Sequence, residues 1–205
     1  MNILGINAFH GDASACLVVD GRLIAAAEEE RFLRIKHWAG FPLESIKFCL
    51  EAGKLSIADV HHIALNRDPK AHWARKALYA ISKRPSTDMV ADRIKNASKI
   101  RQAKTMIASE FNIPERQLRA TIHAVEHHRA HMASSFFVSG FSSAAVVSVD
   151  GFGDFVSTMW GEGDKNRIKT QDQIYFPHSL GLFYLAMTQF LGFPNYGDEY
   201  KVMGL

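Results

Sequence analysis

The first part of the chain alternates apolar runs with short polar turns, a pattern typical of β-strands. Residues 2–7, 14–19 and 23–27 are three such runs. Asp20-Gly21, a pair that favours a two-residue hairpin turn, separates the second run from the third. The pattern therefore predicts three consecutive strands, with the polar residues 10–14 in the first turn.

Beyond residue 40, the spacing of apolar residues favours helices between further strands. Leu43, Ile46 and Leu50 lie on one face of a predicted helix that ends near Gly53. The remaining predicted elements are a buried parallel strand at 60–65, a strand at 121–125, a helix at 127–138, a hairpin of 144–149 with 156–161, and a helix at 180–191. This order resembles one lobe of the actin, sugar-kinase and Hsp70 ATPase fold. We therefore expect an α/β fold of the ribonuclease H-like type.

A complete fold of that type has two lobes, and here a second hairpin only begins. We interpret residues 1–205 as the N-terminal lobe of a longer protein. Residues 67–112 interrupt the alternation of strands and helices with a helical pattern, which we interpret as an insertion outside the sheet core. Residues 67–104 contain eleven Lys and Arg residues and three Asp residues, which gives a net charge of +8. A solvated helical face is the plainer interpretation of this charge, and RNA or an acidic partner is the alternative.

The composition as a whole does not indicate a nucleic-acid-binding protein, because the net charge is only +3. Cys16 and Cys49 lie in apolar surroundings without a short spacing, which favours buried thiols in a reducing compartment. No apolar run has the length of a membrane span. A basic stretch followed by a long apolar run is not seen before the first strand, so we expect no signal peptide. We therefore expect a cytoplasmic protein without a membrane partner.

Residues 126–154 contain the candidate metal ligands and a candidate phosphate-binding turn. His127 and His131 are one helical turn apart, so both imidazoles can face one metal ion. Asp150 ends an apolar strand and could supply a third ligand, while Gly151 and Gly153 could present backbone N–H groups to a phosphate. Two histidines with one carboxylate suit iron or zinc. The alternative for His127 and His131 is that they only form local hydrogen bonds. The alternative for the glycine-rich stretch is a plain hairpin turn.

Two polar stretches near the start of the chain are further candidates. The first turn contains His10, Asp12 and Ser14, which could face phosphates. His10 could also stabilise negative charge that develops on a phosphate or carbonyl oxygen. Residues 28–31 and 34–37 are charged, and an anion site there could use Arg34, Lys36 or His37. An ordinary turn and a solvated loop are the alternatives.

Several of these residues fall in stretches that resemble the N-terminal part of carbamoyltransferases, including the nodulation-factor, cephamycin and tobramycin O-carbamoyltransferases. The stretches are 5–7 with 10–14, 28–32 with 36–37, 40–42, 126–131, 149–151 and 197–205. The resemblance covers nearly the whole chain outside the basic segment. It implies an actin-like domain that is followed by a second lobe and a YrdC-like domain, so we expect residues 1–205 alone to be inactive.

The resemblance also implies a reaction and roles for individual residues. Carbamoyl phosphate and ATP, with Mg²⁺, would give carbamoyl adenylate and pyrophosphate, and the carbamoyl group would move to a hydroxyl of a small-molecule acceptor. His127, His131 and Asp150 would bind Fe²⁺ or another divalent metal, with a further aspartate from a later segment. The resemblance implies that His10 is catalytic. We expect Lys36 to be a second catalytic residue.

Other ligands and functions stay open at this stage. The resemblance assigns Lys201 and Gly204 to the lining of the nucleotide cleft, and we expect Asp12, Ser14 and the Gly151–Gly153 turn to bind phosphates. An ATPase or sugar-kinase activity is the alternative, although such enzymes hold Mg²⁺ through carboxylates and waters. A non-catalytic binding module is a third possibility for the isolated chain. A homodimer is compatible with the sequence, and the acceptor alcohol is not identified.

Overall fold

The computed structural model describes residues 1–83, 102–195 and 197–205. The chain divides into two compact units. The first unit holds Met1–Pro69 and Ala77–Val125, and the second holds Lys70–Lys76 and Glu126–Leu205. Among the helices in these described ranges, none is long and apolar enough to span a bilayer.

A five-stranded sheet organises the first unit. Its strands are β1 (Asn2–Asn7), β2 (Ser14–Val19), β3 (Arg22–Glu28), β4 (His62–Leu65) and β5 (Thr121–Ala124). Their order is β3-β2-β1-β4-β5, antiparallel among the first three strands and parallel from β1 through β4 to β5. This order confirms the predicted α/β, ribonuclease H-like fold class, and all five strands fall where the apolar runs predict them.

Among the described residues, three α-helices lie wholly within the first unit. They are α1 (Glu30–Leu33), α2 (Leu43–Ala52) and, after the connection that follows β4, α4 (Ala103–Glu110). The core between the sheet and these helices includes Leu4 and Leu17 from the strands and Ile46 from α2, all fully buried. The parallel strands β4 and β5 need a crossover between them, and α4 lies in that crossover.

The insertion predicted for 67–112 is therefore wrong at its C-terminal end. Ala103 and Ile107 of α4 belong to the sheet core, because the crossover helix must bury one face against the sheet that it spans. The N-terminal part of the segment forms α3 (Trp73–Lys83), which buries no residue. Residues 84–101 lie outside the described range.

A buried carboxylate fixes the start of α2. Glu29 is only 1% exposed, and its oxygens accept hydrogen bonds from the backbone N–H groups of Glu44 and Ser45 at 3.0 and 2.8 Å. The Ser45 hydroxyl donates a third bond at 2.7 Å. Anions are favourable at a helix N-terminus, where N–H groups lack partners within the helix. The interpretation of 28–31 as a solvated loop is therefore wrong for Glu29.

The second unit is built on an antiparallel sheet of β6 (Ser143–Gly153), β7 (Val156–Asp164) and β8 (Arg167–Tyr175). Its helices are α5 (His127–Phe136), α6 (Leu180–Phe190) and α7 (Glu199–Met203). The predicted hairpin is confirmed, but its tight turn is Asp154-Phe155, not the glycine stretch. Both turn residues have positive φ, 50° and 79°, which is the backbone of a two-residue hairpin turn.

The buried thiol of Cys49 leads to a prediction about alkaline stability. Cys49 is fully buried on α2, and desolvation raises its pKa to about 11. A pKa that is higher in the folded state than in the unfolded state stabilises the fold below the unfolded pKa, and this contribution is lost as the pH rises through the folded pKa. We expect the stability advantage of the native protein over Cys49→Ala to shrink between about pH 9 and pH 11.

Urea unfolding of both proteins at several pH values measures this difference. Groups other than Cys49 titrate in both proteins and cancel in the comparison. A stability difference that stays constant up to pH 11 would contradict the burial of a neutral thiol.

Candidate metal centre

The side chains of His127, His131 and Asp150 meet at one point in the second unit. The Nε2 atom of His127 lies 2.8 Å from Oδ2 of Asp150 and 3.0 Å from Nε2 of His131, and the third separation is 3.6 Å. These three residues form a group whose potential ligand atoms all lie within 4.8 Å of one another. Ligands at about 2.0–2.2 Å from a metal are about 3 Å apart, so the spacing suits one metal ion.

Helix and strand each position part of this cluster. The i,i+4 spacing puts both histidines on one face of α5, which packs on β6 and β7, and Asp150 lies near the end of β6. The side chain of His127 is 7% exposed, whereas those of His131 and Asp150 are 52% and 41% exposed. The cluster is therefore anchored at His127 and open to solvent on its other side, as a site that binds substrate next to a metal requires.

Hydrogen bonds within the cluster favour an ionised carboxylate. Those from His127 and then His131 hold the pKa of Asp150 below its usual range, and the Gly151 N–H adds a shorter-range bond at 2.6 Å. An ionised carboxylate is the form that binds a divalent cation. The electrostatics of the cluster thus agree with its geometry.

Two carboxylates that the sequence analysis did not select hold the start of α5. Glu126 accepts a hydrogen bond from the Arg129 N–H at 2.8 Å, and the buried Asp154 accepts one from the His127 N–H at 3.1 Å. Both anions satisfy N–H groups in the first turn of the helix. An acidic residue directly before a helix is a recognisable capping signal, so Glu126 could have been found. Asp154 could not, because it lies 27 residues from its partner.

The third histidine of the motif ties the helix to the sheet. His128 is fully buried, and its Nε2–H donates to the Val156 carbonyl at 2.9 Å, which leaves Nδ1 to accept from the Ser148 hydroxyl at 2.8 Å. Burial lowers the pKa of His128, so the neutral ring is favoured. His128 is therefore a structural residue: its ring bonds to the sheet beside the cluster, with its centroid 5.3 Å from that of His127 and 6.2 Å from that of His131.

Two glycines, Gly153 and Gly181, allow close packing against His127 and against the backbone of Asp150. A Cβ on Gly153 would lie 1.9 Å from Cδ2 of His127, and a Cβ on Gly181 would lie 2.5 Å from the backbone of Asp150. The Ser179 hydroxyl, which caps α6, contacts the carbonyl oxygens of Asp150 and Gly151 at 3.1 and 2.7 Å. Close packing thus fixes the backbone that carries Asp150. Phosphate binding by Gly151 and Gly153 stays a prediction, and the Gly151 N–H already donates to Asp150.

In the first unit, the first turn is joined to two other segments. Nδ1 of His37 lies 2.8 Å from Oδ1 of Asp12, and the Asn66 amide nitrogen lies 3.4 Å from Nε2 of His10. His37, one of the three residues considered for an anion site, thus contacts the turn. Lys36 is exposed, and its catalytic role stays a prediction.

The remaining predicted residues have defined positions as well. Ser14 begins β2 and pairs with Asn7 and Glu28 in the sheet. In the second unit, Nζ of Lys201 on α7 lies 2.6 Å from Oδ1 of Asp198, and this hydrogen bond raises the pKa of Lys201. Gly204 follows the helix, and its N–H donates to carbonyls of the last turn. The nucleotide roles of these residues are untested predictions.

Comparison with known families decides the family of this chain. Residues 2–205 match the family described as carbamoyltransferase N-terminus. The chain belongs to the carbamoyltransferase family. The resemblance inferred from the sequence motifs is thereby confirmed.

Relatives of this carbamoyltransferase chain include much longer proteins. An uncharacterized protein of Synechocystis is 36% identical to this chain, and the match covers the whole chain and 34% of the relative's length. The nodulation protein NolNO of Sinorhizobium fredii is also 36% identical, and the match covers 97% of this chain and 28% of the relative's length. The chain thus spans about a third of these relatives. Among solved structures, YeaZ from Pseudomonas aeruginosa gives a TM-score of 0.42 at 15% identity, over 86% of this chain and 67% of its own.

A pair of glycine substitutions tests the packing of the cluster. Gly153→Ala places a Cβ against the His127 ring, whereas nothing lies within 4 Å of a Cβ on Gly151. We expect Gly153→Ala to lower stability by about 1–3 kcal/mol or more and to weaken metal binding, because His127 must move. Gly151→Ala should leave both unchanged. Thermal unfolding and metal titration measure these effects, and equal behaviour of the two variants would contradict the described contact.

Loss of one imidazole tests the metal itself. In the full-length protein, His131→Ala should lower the affinity for Fe²⁺ by at least about tenfold, since even the loss of an outer hydrogen-bond partner has that effect. His123→Ala removes an exposed imidazole from the first unit and is the matched control. Anaerobic calorimetric titration with Fe²⁺ and with Zn²⁺ measures both affinities. Unchanged Fe²⁺ and Zn²⁺ affinity in His131→Ala would remove it as a ligand.

Proposed function

We propose that the chain is part of an O-carbamoyltransferase that forms carbamoyl adenylate and passes its carbamoyl group to a hydroxyl of a small-molecule acceptor. The match of residues 2–205 to the carbamoyltransferase family carries this proposal. Its substrates would be carbamoyl phosphate, ATP and one water. The water would split carbamoyl phosphate into carbamate and phosphate, and an oxygen of carbamate would then attack the α-phosphorus of ATP and displace pyrophosphate. The cluster of His127, His131 and Asp150 supports the proposal. Transfer of a carbamoyl group is favoured by a cation near the oxygen that gains negative charge.

In this proposal Nε2 of His127, Nε2 of His131 and Oδ2 of Asp150 hold one divalent metal, with Fe²⁺ as the first candidate. When bound, such a metal polarises a carbonyl or phosphoryl oxygen as a Lewis acid. The donor set fits, since imidazole and carboxylate together suit iron and zinc and the exposed side leaves room for substrate. Burial of His127 and the bonds of Asp154 and Glu126 to α5 keep the ligand geometry fixed.

We assign the first turn to substrate binding in the same proposal. His10 would donate a hydrogen bond from its ring to a phosphate or carbonyl oxygen, and Asn66 beside its Nε2 would orient the ring. Asp12 would fix the orientation of the His37 ring through Nδ1, so that His37 adds to the polar surface of the turn. Lys36 would add positive charge from the surface.

An alternative activity is hydrolysis of ATP, or phosphoryl transfer from it, without carbamoyl phosphate. The two imidazoles of the cluster argue against it, because Mg²⁺-dependent enzymes of this fold type prefer oxygen ligands. The dependence of product release on carbamoyl phosphate separates the two activities.

Substitution of His10 tests the proposed reaction. In the full-length protein, His10→Asn should lower the release of pyrophosphate from ATP in the presence of carbamoyl phosphate by at least about 100-fold, the typical loss when a positioned donor to developing negative charge is removed. The fold should stay intact, because the turn is only partly buried. His62→Asn is the matched control, since His62 lies at the opposite end of β4 from Asn66.

Near-normal pyrophosphate release by His10→Asn would remove His10 from the mechanism. Pyrophosphate or phosphate release that needs no carbamoyl phosphate would replace the proposed function by an ATPase.

A further inference from the structure

Helix α3 has two chemically distinct faces. At about 100° per residue, its apolar residues fall within a single arc of about 160°. The apolar arc contains Trp73, Ala74, Ala77, Leu78, Ala80 and Ile81. The opposite arc contains Arg75, Lys76, Tyr79, Ser82 and Lys83. The pattern is that of an amphipathic helix with a basic polar face.

The apolar face is exposed. Trp73, Leu78 and Ile81 are 71%, 66% and 76% exposed, and no residue of the helix is buried. A surface helix of a globular protein normally turns its apolar stripe toward the core. The exposed stripe therefore points to a partner outside the described residues.

Contacts on the other face explain this orientation. The Arg75 guanidinium lies over the ring of Tyr175 at 3.9 Å from its centroid, a cation–π contact within the second unit. His72, just before the helix, packs edge-on against the same ring at 5.4 Å. Arg75 lies about 160° around the helix from Trp73, so the contact with Tyr175 leaves the Trp73 side of the helix exposed.

We propose that α3 binds the surface of an anionic lipid bilayer. The helix carries three basic residues, Arg75, Lys76 and Lys83, and no acidic residue, and this positive charge complements anionic headgroups. Trp73, Leu78 and Ile81 would enter the boundary between headgroups and acyl chains, as the apolar face of an interfacial helix does. RNA would match the charge but leaves the aliphatic face without a partner.

This inference revises the expectation of no membrane partner. That expectation rested on the lack of a spanning segment, whereas a helix that lies in the interface needs only one apolar face. It does not depend on the proposed carbamoyl transfer.

Adjacent substitutions with the same charge change test the proposal. Ile81→Glu puts a carboxylate on the apolar arc, and Ser82→Glu puts one on the polar arc. The full-length protein and both variants are mixed with phosphatidylcholine vesicles with or without about 40% phosphatidylglycerol, and the bound fraction is measured by flotation. The native protein should bind only the anionic vesicles, and less in about 0.5 M salt because the charges are screened.

Ile81→Glu should bind the anionic vesicles at least about fivefold more weakly than Ser82→Glu, since only Ile81 enters the apolar boundary. Both variants should keep the native melting temperature, because both side chains are exposed. Equal binding by the two variants, or no binding by the native protein, would overturn the proposal. So would a loss of thermal stability confined to Ile81→Glu, which would show that polypeptide covers this face, or preferential binding of polyuridylate over the anionic vesicles.

Discussion

The docking of α5 on the sheet of the second unit is the constraint on which the candidate site depends. The neutral ring of His128 bonds to both β6 and β7 from inside the core, and Asp154 holds the first helical N–H group from the hairpin turn. These contacts fix the rotation of the helix about its axis. Because rotation is fixed, the face with His127 and His131 must turn toward Asp150. Without a buried polar partner the His128 ring would carry a desolvation penalty, so the same bonds that orient the helix also favour one packing arrangement.

The local parts of this arrangement follow from the sequence, and the long-range parts do not. One-turn spacing predicted that the two histidines share a face, and an apolar run predicted the strand that carries Asp150. The packing of Gly153 was not predicted, since its lack of a side chain makes room for an imidazole 26 residues away in sequence, a contact that no local pattern encodes. The strand β8 was missed because it is polar and lies at the sheet edge, without the apolar alternation that marks a half-buried strand.

Charged residues gave the least reliable predictions for a related reason. Glu29 lies in a run of three glutamates, where solvation is the default expectation, yet its carboxylate is buried against the start of α2. Likewise, α4 follows a basic segment but contributes Ala103 and Ile107 to the sheet core. In both cases a partner distant in sequence decides the environment. Membership in the carbamoyltransferase family, in contrast, follows from short motifs that match along almost the entire chain.

The short separation of the proposed ligands along the chain has a consequence for folding. His127 and Asp150 are 23 residues apart, so a metal that joins them closes a small loop made of one helix, one connection and one strand. Closing such a loop costs little conformational entropy compared with joining distant segments. Metal uptake and the local ordering of α5 against β6 would therefore behave as one equilibrium, in which this part of the second unit forms a cooperative folding element of its own.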